Sequence, residues 1–112
     1  MKRIEAIIRP EKLDTVRSAL ETAGCNGITI TEIIGHGKQQ GITQQWRGEK
    51  YRVDLLPKSK IEVIVKDSDA DRIVAVLIKG AKTGEIGDGK IFVSPVDNAI
   101  RIRTEEKGDS AL

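Results

Sequence analysis

Hydrophobic and polar residues alternate along residues 2–9, which predicts a strand with one buried face. The spacing becomes helical over residues 11–23, where apolar side chains recur every three or four positions. A second alternating run covers residues 28–34 and is rich in β-branched side chains, as strands commonly are. The apolar stripe of the predicted helix is formed by Leu13, Val16, Leu20 and Ala23. This order of strand, helix and strand predicts one split βαβ unit.

The second half of the chain repeats that order. Residues 60–66 and 91–93 predict two strands, and Ser68 and Asp71 have the spacing of a capping box that would begin a helix between them. Residues 99–103 alternate too and predict a last short strand. The stripe of the second helix is formed by Ile73, Val74, Val76 and Leu77. We therefore predict a single α+β domain over residues 1–112, a ferredoxin-like βαβ-βαβ sandwich with both helices on one face of a four-stranded sheet.

Two segments lack such a pattern. Residues from about 36 to 56 are rich in Gly and Gln and show no period, and a connection of this length in a compact domain is usually functional or disordered. We predict a long, mobile effector loop there, between the two halves. Residues 104–112 are mostly charged and predict a frayed tail.

Composition excludes several classes of protein. The 112 residues include a single Cys and carry a formal net charge of +2. One Cys cannot form an intrachain disulfide, and so small a net charge does not by itself indicate nucleic-acid binding. No run of about 18 apolar residues is present, and the start lacks a signal-peptide pattern. We expect a cytoplasmic protein that does not bind nucleic acid.

The second face of the predicted sheet is of mixed chemistry. Isoleucines stand there among Thr, Glu and Arg, which fits either an ordinary solvated face or a face that meets a subunit or ligand. Arg101 and Arg103 would lie on one side of the last strand, about 7 Å apart, and two such guanidinium groups favour an anion between them. The residues of this face are Glu5, Ile7, Thr29, Ile33, Glu62, Ile64, Arg101 and Arg103.

A glycine-rich segment precedes the strand at 91–93. Residues 84–90 follow the pattern G-x-x-x-x-G-K, but Ile91 replaces the Ser or Thr of a true Walker A motif, and the segment leads into a strand. Its backbone amides can still converge on an anion beside Lys90. We predict a phosphate-binding loop over residues 82–90.

These residues resemble the PII nitrogen-regulatory proteins, in the group that partners ammonium transporters. The resemblance runs from Ile4 to Arg103, and its most specific match is the segment 83–93, TGEIGDGKIFV. A second family signature, Tyr-Arg-Gly-x-x-Tyr, is matched less well because Trp46 stands at its first position, with Arg47 next and Tyr51 at its end.

The resemblance implies a non-enzymatic homotrimer that binds ATP or ADP in clefts between subunits. The adenine contacts would be Thr29, Glu62 and Ile64. The phosphate contacts would be Lys38, Gly87, Asp88, Gly89, Lys90, Arg101 and Arg103. Gln39 would bind Mg²⁺ shared with ATP and 2-oxoglutarate, and Lys58 and Gly87 would join Gln39 in binding 2-oxoglutarate.

The resemblance also implies a target at the membrane. Residues 37–58 hold five basic and two acidic residues, a net charge of +3, and Arg47 matches the tip residue that enters an Amt-type ammonium transporter in relatives. The protein would then lie reversibly at the inner face of the membrane. Tyr51 aligns with a tyrosine that some relatives uridylylate, and glutamine synthetase is another possible target.

Other functions remain open from the residues alone. A nucleotide-independent amino-acid-sensing domain of the same fold is one alternative, although it would leave Lys90, Arg101 and Arg103 without a phosphate. An RNA-binding module would need aromatic residues on its central strands. Nothing in the spacing of the acidic residues, Cys25 or His36 picks out a catalytic pair.

Overall fold

The computed structural model describes residues 1–36, 42–46, 49–53 and 55–112, and the side chains of residues 1–34 and 56–112. The strands are β1 (Lys2–Ile8), β2 (Thr29–His36), β3 (Ile42–Trp46), β4 (Glu49–Val53), β5 (Leu55–Val65) and β6 (Lys90–Pro95). The helices are α1 (Leu13–Thr22) and α2 (Ala70–Ala81). Neither of these helices has the length and apolar composition needed to cross a membrane.

Four strands form an antiparallel sheet in the order β2-β5-β1-β6. Ile4 lies opposite Val63 of β5 and Val93 of β6, so the apolar positions of three strands share one face. Both helices pack on that face and complete the core. This arrangement confirms the predicted α+β, ferredoxin-like fold class.

The predicted helical stripes are the buried ones. Val16 and Leu20 of α1 and Ile73 and Leu77 of α2 are at most 1% exposed, and each contributes roughly 1.5–3 kcal/mol by leaving water. Gly80 allows the helices to approach closely, because a Cβ there would lie 3.1 Å from Val16 Cγ2.

Glycine also ends α1. Gly24 has φ +95°, its N–H donates to the Glu21 carbonyl, and the Cys25 N–H donates to the Leu20 carbonyl. These two bonds form a Schellman motif, which requires a left-handed residue after the helix. The chain can therefore turn back towards β2 without leaving these carbonyl groups unpaired.

Three local predictions are wrong. The capping box at Ser68 and Asp71 does not form, because Ser68 lies inside a 3₁₀ turn over Asp67–Asp69 and no side chain caps α2. The predicted loop contains β3 and β4, which pair from Ile42↔Val53 to Trp46↔Glu49. The ladder between β2 and β5 also continues to His36↔Leu55, since backbone hydrogen bonds need no alternation of side chains.

The predicted strand over residues 99–103 is absent as well. We call residues 98–112 the C-terminal turn: Ile100 forms an isolated bridge with Lys107, and a 3₁₀ helix covers Gly108–Ala111. Glu105 and Gly108 have φ values of 61° and 70°, which fold the chain back on itself. Residues 104–112 are therefore hydrogen-bonded to residues 98–101 and are not frayed.

Candidate functional site

The glycine-rich loop is closed by the carboxylate of Asp88. Its Oδ2 accepts hydrogen bonds from the N–H groups of Thr83 (2.8 Å) and Gly84 (2.9 Å), and its Oδ1 accepts from the Thr83 hydroxyl. These bonds, and that from Arg9, hold the pKa of Asp88 well below its usual range, with the Thr83 hydroxyl as the largest cause. Asp88 therefore fixes the loop from within as a carboxylate at neutral pH.

Two cationic side chains, one just after β1 and one on β5, bind the glycine-rich loop. Arg9 follows β1, and its guanidinium contacts both Asp88 Oδ1 (3.1 Å) and the carbonyl oxygen of Ile86 (2.8 Å). Lys58, on the neighbouring strand β5, donates from Nζ to the carbonyl oxygen of Gly87 at 2.7 Å. Both partners lie far away in the sequence, so tertiary structure determines the shape of this loop.

The direction of the loop amides follows from these contacts. In a trans peptide the carbonyl and the following N–H point in opposite directions. Because the carbonyls of Ile86 and Gly87 point at Arg9 and Lys58, the N–H groups of Gly87 and Asp88 point away from them. Neither N–H donates to any residue that the structure describes. Two successive N–H groups with one orientation can bind an anion.

Gly89 is required by its surroundings. Its φ is +99°, and a Cβ at this position would overlap the carbonyl oxygen of Ile7. The backbone of the loop therefore lies directly against β1. Lys90 begins β6 immediately afterwards, in register with Ile7, so its charge lies beside the loop.

Lys58 is unusual because its long side chain is buried, with 7% of the residue exposed. Burial and then the charge of Arg9 lower the pKa of its ammonium group. Lys58 and Arg9 are balanced by the carboxylates of Glu11 and Asp88, so these four groups together are neutral. A cavity of about 320 Å³ borders Lys58, between Ile33 and Pro57.

The predicted adenine residues lie on the second face of the sheet, as their alternation predicted. Thr29 is opposite Glu62, and Ile64 is two positions further along β5. Arg3 contacts Glu62 at 2.7 Å, and Lys60 contacts the neighbouring carboxylate of Glu5 at 3.3 Å. Glu62 is four positions from Lys58, which is about 13 Å along a strand.

The two predicted phosphate-binding arginines are not brought to the loop within one chain. Arg101 contacts Glu106 and the carbonyl of Leu112, inside the C-terminal turn. Arg103 lies in an exposed turn over residues 102–104. No hydrogen bond or ion pair joins either of them to residues 83–90 in the part of the chain that the structure describes.

Four predicted site residues belong to the effector loop. Lys38, Gln39 and Arg47 lie outside the described residues, so their predicted roles stay predictions. Tyr51 lies on β4 with its backbone opposite Gln44, and its side chain is outside the described part.

Sequence reasoning missed Arg9 and Thr83 as determinants of the loop. Arg9 continues the polar face of β1 just before Pro10, and an Arg at the end of a strand beside a glycine-rich segment was the available signal. Thr83 opens that segment, but its partnership with Asp88 is visible only once the loop has folded.

Comparison with known proteins shows which proteins this chain is related to. A family model described as nitrogen regulatory protein P-II matches residues 1–106. The chain belongs to the PII nitrogen regulatory protein family. The nitrogen regulatory protein P-II 2 of Methanothermobacter thermautotrophicus is 59% identical over all of this chain and 97% of its own length. The P-II proteins of Azospirillum brasilense and Synechocystis are 54% and 53% identical, each over the full length of both chains.

Membership confirms the recognised resemblance and the coarse function. PII proteins are nitrogen regulators that act through interactions with other proteins. The loop at 83–90 is therefore a candidate ligand site of a regulatory protein.

Proposed function

We propose that this PII protein senses ATP, ADP and 2-oxoglutarate and regulates nitrogen assimilation, without being an enzyme. The observation that carries the proposal is the orientation of the glycine-rich loop. Arg9 and Lys58 bind its carbonyls at 2.8 and 2.7 Å, which turns two successive N–H groups outwards beside Lys90. That arrangement suits a phosphate group.

The nucleotide site would combine the glycine-rich loop with residues on the second face of the sheet. Gly87, Asp88, Gly89 and Lys90 bind the phosphates, and Asp88 contributes its N–H because its carboxylate is already occupied by Thr83, Gly84 and Arg9. Thr29, Glu62 and Ile64 contact the adenine. Lys38, Arg101 and Arg103 add positive charge.

A homotrimer would complete this site. Arg101 and Arg103 make no contact with residues 83–90 in one chain, but a neighbouring protomer can present them across a cleft. Phe92, which is 53% exposed on the edge strand β6, supports a further subunit contact there.

The 2-oxoglutarate site would lie at Lys58. Its ammonium group has three donors, one of which binds Gly87, so a carboxylate can accept another. Within the described ranges, no group of three His, Cys, Asp or Glu side chains is placed to hold a metal ion. Mg²⁺ needs only one or two protein ligands beside phosphates, and Gln39 is the proposed one.

The effector loop would connect ligand binding to targets. Gln39 lies near its start, so Mg²⁺-ATP with 2-oxoglutarate would redirect the loop and release an Amt-type ammonium transporter, whose pore Arg47 enters. ADP, or ATP alone, would permit docking and bring this cytoplasmic protein to the inner face of the membrane. Glutamine synthetase would be a second target, and Tyr51 a modification site.

Calorimetry tests the ligand sites. ATP is expected to bind the wild type, and 2-oxoglutarate to bind only when Mg²⁺ and ATP are present. Lys58→Met should weaken 2-oxoglutarate binding about tenfold or more, since it removes a buried charged donor. It should also weaken ATP binding, because Lys58 holds the Gly87 carbonyl, but by less, because Arg9 still binds Ile86 and Asp88. Lys66→Met is the control, because Lys66 is exposed just beyond the other end of β5.

Two results would contradict the proposal. One is a wild type that binds no adenine nucleotide. The other is 2-oxoglutarate binding that is equally strong without nucleotide. A pull-down with the transporter tests the target: 2-oxoglutarate added with Mg²⁺-ATP should reduce the bound fraction, and an unchanged fraction would remove the transporter from the proposal.

A further inference from the structure

We propose that Glu106 competes with nucleotide phosphate for Arg101, so that the C-terminal turn lowers the affinity of the site for ATP. This inference rests on the proposed function, because it assigns a regulator to the same phosphate site. It starts from the place of Arg101, which is held by residues of its own chain.

The guanidinium of Arg101 has two acceptors in the C-terminal turn. Its Nη1 lies 3.4 Å from Glu106 Oε1, and its Nη2 lies 3.4 Å from the carbonyl oxygen of Leu112. A guanidinium presents its donors as a planar fork that suits a phosphate. The acceptors of the turn therefore occupy the groups that a phosphate would use.

Backbone hydrogen bonds keep Glu106 opposite Arg101. The Arg101 N–H donates to the Glu106 carbonyl at 2.9 Å, and the Glu105 N–H donates to the Arg101 carbonyl at 2.7 Å. The bridge between Ile100 and Lys107 continues the pairing. The ion pair is thus built into a folded turn and is not an encounter of two freely rotating surface side chains.

The contact is weak enough to be displaced. Both distances are long for charged hydrogen bonds, and the side chains of Arg101 and Glu106 are 39% and 41% exposed. Exposed ion pairs contribute little, whereas a triphosphate brings several negative charges. The carboxylate would therefore reduce the affinity for phosphate without preventing binding.

Glu106→Gln tests this directly, since it removes the charge and keeps the shape. We expect ATP to bind the variant about two- to fivefold more tightly than the wild type, as loss of an exposed ion pair predicts. Adenosine, which has no phosphate, should bind both proteins equally. The gain for ATP should shrink at 1 M salt, where the screening length is about 3 Å.

Glu105→Gln is the matched control. It makes the same charge change one residue away, and the Glu105 side chain forms no ion pair with the residues described. Equal tightening of ATP by both variants would overturn the inference, because net charge alone would explain it. So would equal tightening of adenosine and ATP by Glu106→Gln.

Failure of this inference can be separated from failure of the proposed function. If the wild type binds ATP and Glu106→Gln binds it no more tightly, the role of Glu106 is wrong and the nucleotide site stands. If the wild type binds neither ATP nor ADP, the proposed function is wrong and this inference falls with it.

Discussion

The glycine-rich loop and the C-terminal turn both carry residues that the sequence assigns to phosphate, but the two are held in different ways. The loop is fixed by Arg9 and Lys58, which lie 77 and 29 residues from the carbonyls they bind. The C-terminal turn is fixed by bonds that span at most 11 residues, such as those of Asn98 and Arg101.

This difference separates a preformed site from an adjustable one. The loop amides are already oriented, so binding a phosphate there would cost little ordering. To bind a phosphate, Arg101 would first have to leave Glu106 and Leu112, and that exchange would lower the net gain. Residues that share one predicted role in a family can therefore contribute differently to binding.

The largest expected effect tests how rigidly the loop is held. Gly89→Ala would place a Cβ into the carbonyl of Ile7 at a φ of +99°. Overpacking and left-handed strain together should lower the free energy of unfolding by about 2–5 kcal/mol. Urea unfolding measures the change.

Gly84→Ala is the matched control for that substitution. Gly84 also has positive φ, at +90°, but nothing lies within 4 Å of a Cβ there. Only the backbone strain remains, so the loss should be about 1–2 kcal/mol. Equal losses at the two positions would show that the contact with β1 does not constrain the loop.

A smaller effect is expected from Asp88→Asn, and it should depend on pH. The folded pKa of Asp88 is depressed, so its carboxylate stabilises the folded state above the unfolded pKa of about 3.9. That stability is lost as pH falls through the folded pKa. Urea unfolding should therefore give the wild type a larger free energy of unfolding than the variant at pH 7, and the difference should narrow below about pH 4. A gap that does not change with pH would contradict the role of the carboxylate.

The fold could be predicted because its signals are local. The spacing of Val16 and Leu20 marks a helix face, and the alternation of Ile4, Ala6 and Ile8 marks a strand face, whatever the partners are. The glycines of residues 84–90 likewise indicate, from the sequence alone, where φ can be positive. Such patterns predict the secondary-structure elements and the general position of the candidate site.

What could not be predicted depends on distant partners. Arg9 binds Asp88, 79 residues away, and no period in the sequence encodes that contact. Residues 99–103 alternate like a strand, but a strand also needs backbone partners, and the Arg101 N–H finds Glu106 in place of a sheet neighbour. Alternation alone is therefore not sufficient to predict a strand.

A substitution in the C-terminal turn should cost less than either loop variant. Asn98 Oδ1 accepts from the N–H groups of Ala99 (2.9 Å) and Gly108 (3.1 Å). Asn98→Ala should lower the free energy of unfolding by about 0.5–1.5 kcal/mol. Asn26→Ala, at an exposed residue between α1 and β2, should change it by less than about 0.5 kcal/mol. If Asn98→Ala lowered the free energy of unfolding as much as Gly89→Ala does, the glycine-rich loop would not be held more tightly than the C-terminal turn.

The smallest effect concerns the backbone of the C-terminal turn. Glu105 is left-handed, with φ 61°, which costs a non-glycine residue about 1–2 kcal/mol. Glu105→Gly relieves that cost but adds about 0.5–1 kcal/mol of entropy to the unfolded chain. The net change in unfolding free energy should be a gain of about 0.5 kcal/mol. Lys107→Gly is the control, since Lys107 is extended at φ −123° and gains no relief, so it should lose about 0.5–1 kcal/mol. Equal losses in the two variants would mean that the left-handed bend at Glu105 does not shape the turn that holds Arg101.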